Sequence, residues 1–228
     1  MKFFRFASAL LGETFRARGF KVTPRFKEIY EKNLFGGTES RSGPGSSLVQ
    51  TQNIRLELPR LIEDIGITSF LDAPCGDCNW IAELDWRKVS YTGVDVVAEL
   101  IQGNRFRLEG KNMRFIAGDL CEATLPKADL VFCRDCWVHL PFRQIQACLE
   151  SFRRSGALYL MATTFPATKL NRELEPKAIW RTLNLQKPPF CFPDPERLLI
   201  ENCTEDDGLH SDKALGLWRL PNLEFSIR

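Results

Sequence analysis

The 228-residue sequence has only two histidines, no excess of charge of one sign and no long apolar run. Its 31 Lys and Arg residues nearly balance its 29 Asp and Glu residues, for a formal net charge of +2, so composition does not require a polyanionic partner. The most apolar stretch near the amino terminus, residues 6–11, is too short for a membrane-spanning helix or a signal-peptide core. Composition therefore indicates a globular chain that folds in water.

Eight cysteines are present, and no secretory signal is recognisable before them. We therefore expect free thiols in a reducing compartment and a cytoplasmic location. Two Cys-x-x-Cys pairs, Cys75/Cys78 and Cys133/Cys136, have the spacing of a four-thiolate zinc site. The first pair lies in a predicted ligand-binding turn and Cys133 in a predicted buried strand, so we expect buried thiols and no metal.

The chain divides into an amino-terminal extension and a main domain. Residues 1–20 are basic and rich in Phe and Leu, which predicts an amphipathic helix. Residues 33–47 are rich in Gly, Ser and Pro, which predicts a loop. We expect residues 1–47 to form a lid or cap, with residues 36–47 closing over a bound ligand, and residues 48–228 to form one domain.

Short apolar runs alternate with helical patterns along the main domain. This alternation predicts an α/β fold with a Rossmann-like, doubly wound, mostly parallel sheet. The last two strands are joined by a polar stretch that permits an antiparallel carboxyl-terminal strand. The predicted helices are residues 48–65, 98–108 and 141–154, and the predicted strands are residues 68–73, 91–97, 113–120, 128–134, 157–165, 197–203 and 214–220.

Acidic residues follow several of these strands, at the edge where parallel sheets bind ligands. Asp95 ends the second strand about twenty residues after a turn that contains Gly76, which is the position of a ribose-binding carboxylate. A dinucleotide needs G-x-G-x-x-G at that turn, and this turn has Gly76 alone, which argues against NAD and leaves an NAD-dependent oxidoreductase as a rival hypothesis. The pattern favours an adenosine cofactor without a diphosphate, namely S-adenosylmethionine.

Four segments resemble, in order and spacing, the motifs of class I S-adenosylmethionine-dependent methyltransferases: residues 70–76, 91–96, 116–120 and 129–135. The resemblance covers residues 48–220, and longer strings resemble an uncharacterised small bacterial branch of that superfamily. The sequence departs from the superfamily pattern at Pro74 and Cys78, where the superfamily usually has glycine. The resemblance implies S-adenosylmethionine as cofactor, bound by Asp72, Ala73, Pro74, Cys75, Gly76, Asp95, Val96, Gly118, Asp119, Leu120 and Arg134.

Methyl transfer needs a nucleophile held in line with the sulfonium methyl, and a base where the acceptor carries a proton. His139 follows the fourth strand and is the predicted base, with Asp135 as its orienting or substrate-binding partner. Trp137 and Trp180 are predicted acceptor contacts, because aromatic faces stabilise cations and exclude water. Asn184 is predicted to supply a polar contact to the acceptor. His210 lies in a polar loop and is predicted to be solvated.

These residues together predict a methyltransferase that modifies a nitrogen or oxygen atom of a small molecule. The near-neutral charge, and the lack of an Asn-Pro-Pro-Tyr-type motif after the fourth strand, argue against a base in nucleic acid as acceptor. RNA or protein acceptors and a catalytically silent, cofactor-binding regulatory partner stay as alternatives. The sequence does not indicate an oligomeric state.

Overall fold

The computed structural model describes residues 21–225, so the helix predicted over residues 1–20 lies outside the described residues. Helices are numbered α1 to α4 and strands β1 to β7 along the chain. Their bounds are α1 Val22–Glu31, α2 Gln52–Asp64, β1 Ser69–Asp72, β2 Ser90–Asp95, α3 Ala98–Leu108, β3 Met113–Ala117, β4 Leu130–Cys133, α4 Phe142–Arg154, β5 Tyr159–Thr164, β6 Arg197–Ile200 and β7 Ala214–Arg219.

All seven strands belong to one sheet with the order β3-β2-β1-β4-β5-β7-β6. The first five strands of the chain pair in parallel, and β7 runs antiparallel to both β5 and β6. The predicted fold class is therefore confirmed. Because chain order reverses between β1 and β4, the crevice at their carboxyl ends is the expected ligand-binding position.

Helices cover both faces of the sheet, and two of them, α2 and α4, each have a clear apolar stripe. In α2 the buried residues Ile54, Leu58 and Ile62 recur every four positions and pack on one face. In α4 the buried stripe, which includes Ile145 and Phe152, packs on the other. Strands β4 and β5 are buried along their whole length, as expected for central strands of a sheet covered on both sides.

Several predicted strands are longer than the observed ones, and sheet register explains the difference. The strand predicted over residues 113–120 ends at Ala117, because its partner β2 ends opposite it at Asp95. Similarly, the strand predicted to reach residue 203 ends at Ile200, opposite the first residue of β7. A strand ends where its hydrogen-bonding partner ends, and sequence periodicity does not record that position.

The described part of the amino-terminal extension packs against the main domain. Phe26 of α1 contacts the core, and the Arg25 guanidinium donates a hydrogen bond to the carbonyl of Ala178. Within residues 21–225, no helix is long and apolar enough to cross a membrane.

Candidate active site

A cleft of about 1030 Å³ opens at the carboxyl ends of β1, β2, β3 and β4. It is lined by residues that follow these strands and, from the amino-terminal extension, by residues of α1 and of the 35–46 segment. Nine predicted cofactor residues line it: Asp72, Pro74, Cys75, Gly76, Asp95, Val96, Asp119, Leu120 and Arg134. The structure thus brings together residues that are far apart in sequence.

The turn after β1 forms one wall of the cleft. The Cys75 N–H donates to the carbonyl of Val94 at 2.9 Å, which ties the turn to β2. Gly76 has a φ of 55°, and a Cβ at this position would lie 2.1 Å from the Ser42 hydroxyl. Glycine is therefore required here both by backbone conformation and by the close approach of the 36–47 loop.

The Asp95 carboxylate lies at the end of β2 and is held by two backbone donors. The Gly76 N–H donates to Oδ2 at 3.0 Å, and the Val97 N–H donates to Oδ1 at 2.9 Å. A carboxylate accepts about four hydrogen bonds, so acceptor positions are left over. Burial raises the pKa of Asp95 to about 6, and the backbone N–H groups of Val97, Gly76 and Val96 oppose that rise.

Asp72 lies at the end of β1, and its Oδ2 accepts a hydrogen bond from the Tyr91 hydroxyl at 2.7 Å. Burial raises the pKa of Asp72 to about 7, although Tyr91 opposes the rise. The Asp72 carboxyl group, which lines the cleft, is therefore partly protonated and partly ionised near neutral pH.

Beyond β3, Asp119 accepts the Cys121 N–H at 2.9 Å, and Leu120 is buried against the cleft. Two predicted cofactor residues, Ala73 and Gly118, do not line it. Ala73 donates its N–H to Phe132, and Gly118 donates its N–H to the carbonyl of Asp95. Both therefore join neighbouring strand ends through their backbones.

The end of β4 carries a buried ionic cluster that the sequence did not predict. Arg134 lies 2.8 Å from Glu201 and also donates to the carbonyl of Gly45. Asp135 lies 2.5 Å from the Lys213 ammonium, which is 3.4 Å from Glu201. We call Arg134, Asp135, Glu201 and Lys213 the ionic cluster. Burial alone would raise the pKa of Asp135, but Lys213 and Arg134 hold it well below its usual range.

His139 lies in a 3-10 turn, Trp137–His139, and lines the cleft with its side chain mostly buried. Its Nδ1 lies 2.5 Å from the carbonyl oxygen of Ile179. Because a carbonyl only accepts, Nδ1 carries the proton and Nε2 is the acceptor nitrogen of the neutral ring. Burial lowers the pKa of His139 to about 4, against the opposing effects of the Ile179 hydrogen bond and Asp135.

A second pocket of about 550 Å³ adjoins the cleft and shares Phe35, Ser42, Asp135 and His139 with it. We call it the acceptor pocket, after the methyl acceptor that the sequence predicts. Trp180, a predicted acceptor contact, lines it. His210 also lines it, with its side chain 15% exposed and its ring 4.9 Å from that of Trp180, so the prediction of a solvated His210 is wrong.

Two predicted acceptor contacts lie outside both cavities. Trp137 is 3% exposed, with its ring stacked 6.2 Å from that of Phe152, because the 3-10 turn directs it into the core. Asn184 is also buried, and its amide donates to the carbonyls of Pro166 and Thr168. The structure therefore gives Trp137 a packing position and Asn184 a loop-stabilising position, which corrects their predicted placement in the acceptor pocket.

The two Cys-x-x-Cys pairs are buried free thiols. Across residues 21–225, no group of three or more His, Cys, Asp or Glu side chains is arranged to hold a metal ion.

Residues 70–156 match a family model described as a methyltransferase domain. A search of curated proteins found no significant match to the chain. Among solved structures, the chain is similar to the 1,6-didemethyltoxoflavin-N1-methyltransferase of Burkholderia thailandensis, with 17% identity, a TM-score of 0.58 and 86% of each chain covered.

Two further structures show the same fold. The N-methyltransferase NodS from Bradyrhizobium japonicum WM9 has 15% identity and a TM-score of 0.51, with 61% of this chain and 72% of that chain covered. The methyltransferase domain of bacterial CtHen1 has 17% identity and a TM-score of 0.53, with 75% and 99% covered. The Burkholderia and Bradyrhizobium proteins were crystallised with S-adenosylhomocysteine. Residues 70–156 thus match a methyltransferase domain, and the seven-stranded fold around them is shared with these methyltransferases.

Proposed function

We propose that the protein transfers a methyl group from S-adenosylmethionine to a nitrogen or oxygen atom of a small molecule. The observation that carries this proposal is the Asp95 carboxylate at the end of β2, held by the Gly76 and Val97 N–H groups with acceptor positions left over. It lies in a cleft that a second pocket adjoins. One site for an adenosyl group and a neighbouring site for an acceptor are what methyl transfer requires.

On this proposal, Asp95 binds the ribose hydroxyls, the turn at Gly76 lies beside the methionine end, and Asp119 and Leu120 flank the adenine. The cofactor supplies an electrophilic methyl group on a sulfonium. The protein's own contribution is to orient the acceptor and exclude water, since correct positioning supplies most of the rate in such a displacement. Phe26, Tyr30 and Phe35 line the cleft and give it an apolar side.

The enclosure of the site favours a small acceptor. Residues of α1 and of the 35–46 segment line the cleft, and Gly43, Pro44 and Gly45 line the acceptor pocket, so the amino-terminal extension narrows the approach. We propose that this extension, residues 1–47, is the lid. The Burkholderia protein was crystallised with 1,6-didemethyltoxoflavin, a precedent for a low-molecular-weight acceptor on this fold.

The roles of His139 and Asp135 follow from their charges. Asp135 is committed to ion pairs with Arg134 and Lys213, which makes it a fixed charge. His139 is neutral, and the low pKa of its ring makes it a weak base at neutral pH. We therefore propose that His139 accepts a hydrogen bond from the acceptor through Nε2, in preference to the general-base role predicted from the sequence.

The test is transfer of a radiolabelled methyl group from S-adenosylmethionine to three acceptor pools: small metabolites, total RNA and a protein extract. We expect incorporation in the small-molecule pool. Incorporation only into RNA or protein would contradict the acceptor class. Tight binding of S-adenosylhomocysteine with no incorporation into any pool would favour the silent regulatory partner.

A further inference from the structure

Aromatic and imidazole rings make up much of the lining of the acceptor pocket. Phe35 lies against His139, with ring centroids 4.8 Å apart. Phe165 meets Trp180 edge to face, with ring centroids 5.8 Å apart, and Trp180 meets His210 in the same way at 4.9 Å. Rigid aromatic faces in a cavity of this kind select planar ligands and also attract positive charge.

The described residues that line the pocket carry more acidic than basic side chains. Their carboxylates are Asp135, Glu205 and Asp206, against the Lys213 ammonium, and His210 lies 3.6 Å from Asp206. In the ionic cluster, the carboxylates of Asp135 and Glu201 are matched by the cations of Arg134 and Lys213. An anionic acceptor such as a carboxylate would be repelled, whereas a cation formed inside the pocket would be stabilised.

From these walls and charges we infer, resting on the proposed function, that the acceptor is a flat, uncharged nitrogen heterocycle methylated on a pyridine-type ring nitrogen. The lone pair of that nitrogen forms the new N–C bond while the C–S bond breaks, and the electrons of the broken bond stay on sulfur. The positive charge passes from the sulfonium to the ring nitrogen. No proton is released, so the step needs no base.

This chemistry agrees with the side chains that face both cavities. Asp135 is held as a carboxylate by Lys213 and Arg134, and His139 is a weak base, so neither is suited to remove a proton near neutral pH. Both are suited to a reaction in which positive charge appears on the acceptor. The aromatic faces of Phe35 and Trp180 stabilise that charge without any proton transfer.

The test uses protein saturated with S-adenosylhomocysteine and four bicyclic probes of similar shape, titrated by calorimetry. Quinoline represents the acceptor and N-methylquinolinium the product. Naphthalene-2-carboxylate carries negative charge, and naphthalene-2-carboxamide is its uncharged counterpart. We expect N-methylquinolinium to bind at least about tenfold more tightly than the carboxylate, with quinoline and the carboxamide between them. Equal or tighter binding of the carboxylate would overturn the inference.

Substitutions in the acceptor pocket test whether the probes bind there. Trp180→Leu should weaken N-methylquinolinium at least about tenfold, and the control Phe106→Leu, at a side chain 93% exposed, should not. Glu205→Gln should weaken N-methylquinolinium more than quinoline, whereas Asp64→Asn, on the exposed side of α2, should weaken neither. Phe35→Leu is a second aromatic variant in case Trp180→Leu does not fold. Equal weakening by Phe106→Leu, or none by either pocket variant, would overturn the inference.

The separate titration with S-adenosylhomocysteine distinguishes the two proposals. If it binds and the carboxylate is preferred, the acceptor inference fails and the proposed methyl transfer stands. If S-adenosylhomocysteine does not bind to the wild-type protein, the proposed function fails, and the acceptor inference fails with it.

Discussion

At the residue scale, we propose that cofactor selection depends on the carboxylate of Asp95. Two backbone N–H groups fix its orientation, and its remaining acceptor positions face the cleft that we assign to the adenosyl group. A hydrogen bond to a charged acceptor contributes about 1.5–3 kcal/mol. The ribose contacts of this single side chain are therefore expected to account for a measurable share of cofactor affinity.

We predict that Asp95→Ala weakens S-adenosylhomocysteine binding at least about tenfold in a calorimetric titration. Asp85→Ala is the matched control, because Asp85 is an exposed carboxylate paired with Arg87 outside the cleft. Asp95→Asn keeps one oxygen, which can accept from one of the two N–H donors and from one ribose hydroxyl, so we expect intermediate affinity. Unchanged binding in both Asp95 variants would place the ribose elsewhere.

The low pKa of His139 leads to a prediction about how turnover depends on pH. Only the neutral ring accepts a hydrogen bond at Nε2, and with a pKa of about 4 the ring is already neutral well below pH 6. His139 should therefore add no rise of turnover with pH through the ordinary histidine range of about 6–7. Any rise there that comes from Asp95 or Asp72 should persist in His139→Ala. A rise centred near pH 6.5 in the wild-type protein, lost in His139→Ala, would contradict this assignment.

The size of the loss of turnover on replacing His139 distinguishes a hydrogen-bonding role from a proton-transfer role. His139→Ala should lower turnover by about tenfold, the effect of one neutral hydrogen bond, with S-adenosylhomocysteine affinity unchanged. A general base would cost about 10²–10⁴-fold. A loss in that larger range would restore the general-base role that the sequence predicted.

At the element scale, the 36–47 loop is fastened to the turn after β1. The Asp77 carboxylate accepts hydrogen bonds from the Ser40 hydroxyl at 2.8 Å, the Arg41 N–H at 2.7 Å and the Ser42 hydroxyl at 3.3 Å. The loop therefore contacts the same turn that lines the cofactor cleft, and loop order is expected to depend on cofactor binding.

We predict that S-adenosylhomocysteine slows tryptic cleavage at the exposed Arg41 in the wild-type protein. Asp77→Ala removes the acceptor of three loop hydrogen bonds, so its loop should be cut several-fold faster without ligand. Asp64→Ala is the control, because Asp64 is an exposed carboxylate at the end of α2. Equal cleavage rates with and without ligand would exclude closure of this loop over the cofactor.

The central strands are predictable from the sequence because they are short buried runs, and α2 and α4 because their apolar residues recur at helical spacing. Helix α3 was predicted with the observed bounds, since Ala98 and Leu108 both lie at clear changes of pattern. The ionic cluster was not predictable. Arg134 meets Glu201 across 67 positions and Asp135 meets Lys213 across 78 positions, and no local pattern records such pairings. The inward direction of Trp137 was missed for a similar reason, because it depends on a turn outside the regular elements.

At the scale of the whole molecule, the ionic cluster joins the end of β4 to the ends of the two antiparallel strands. Lys213 directly precedes β7, and Glu201 directly follows β6, so the cluster holds the carboxyl-terminal pair of strands beside the active site. Buried ions stabilise a fold only as a set, because a single member left without its partner has lost its hydration without compensation.

We predict that Lys213→Met lowers the free energy of unfolding by about 3–5 kcal/mol, since it leaves two buried carboxylates opposite Arg134 alone. Urea denaturation is the measurement. Arg219→Met removes an exposed ion pair with Glu196 and should change the free energy of unfolding by about 0–1 kcal/mol. Equal effects of the two substitutions would show that the cluster adds nothing to stability.

The central claim is that this fold binds an adenosyl cofactor without a diphosphate. The turn after β1 has Gly76 as its only glycine, and the Ser42 hydroxyl of the loop packs close to that position. The most direct measurement is calorimetric titration of the wild-type protein with S-adenosylhomocysteine and with NAD, side by side. We predict saturable binding of S-adenosylhomocysteine and no saturable heat with NAD at about a hundredfold higher concentration, a difference of about 2.7 kcal/mol or more. Saturable binding of NAD without binding of S-adenosylhomocysteine would contradict the account.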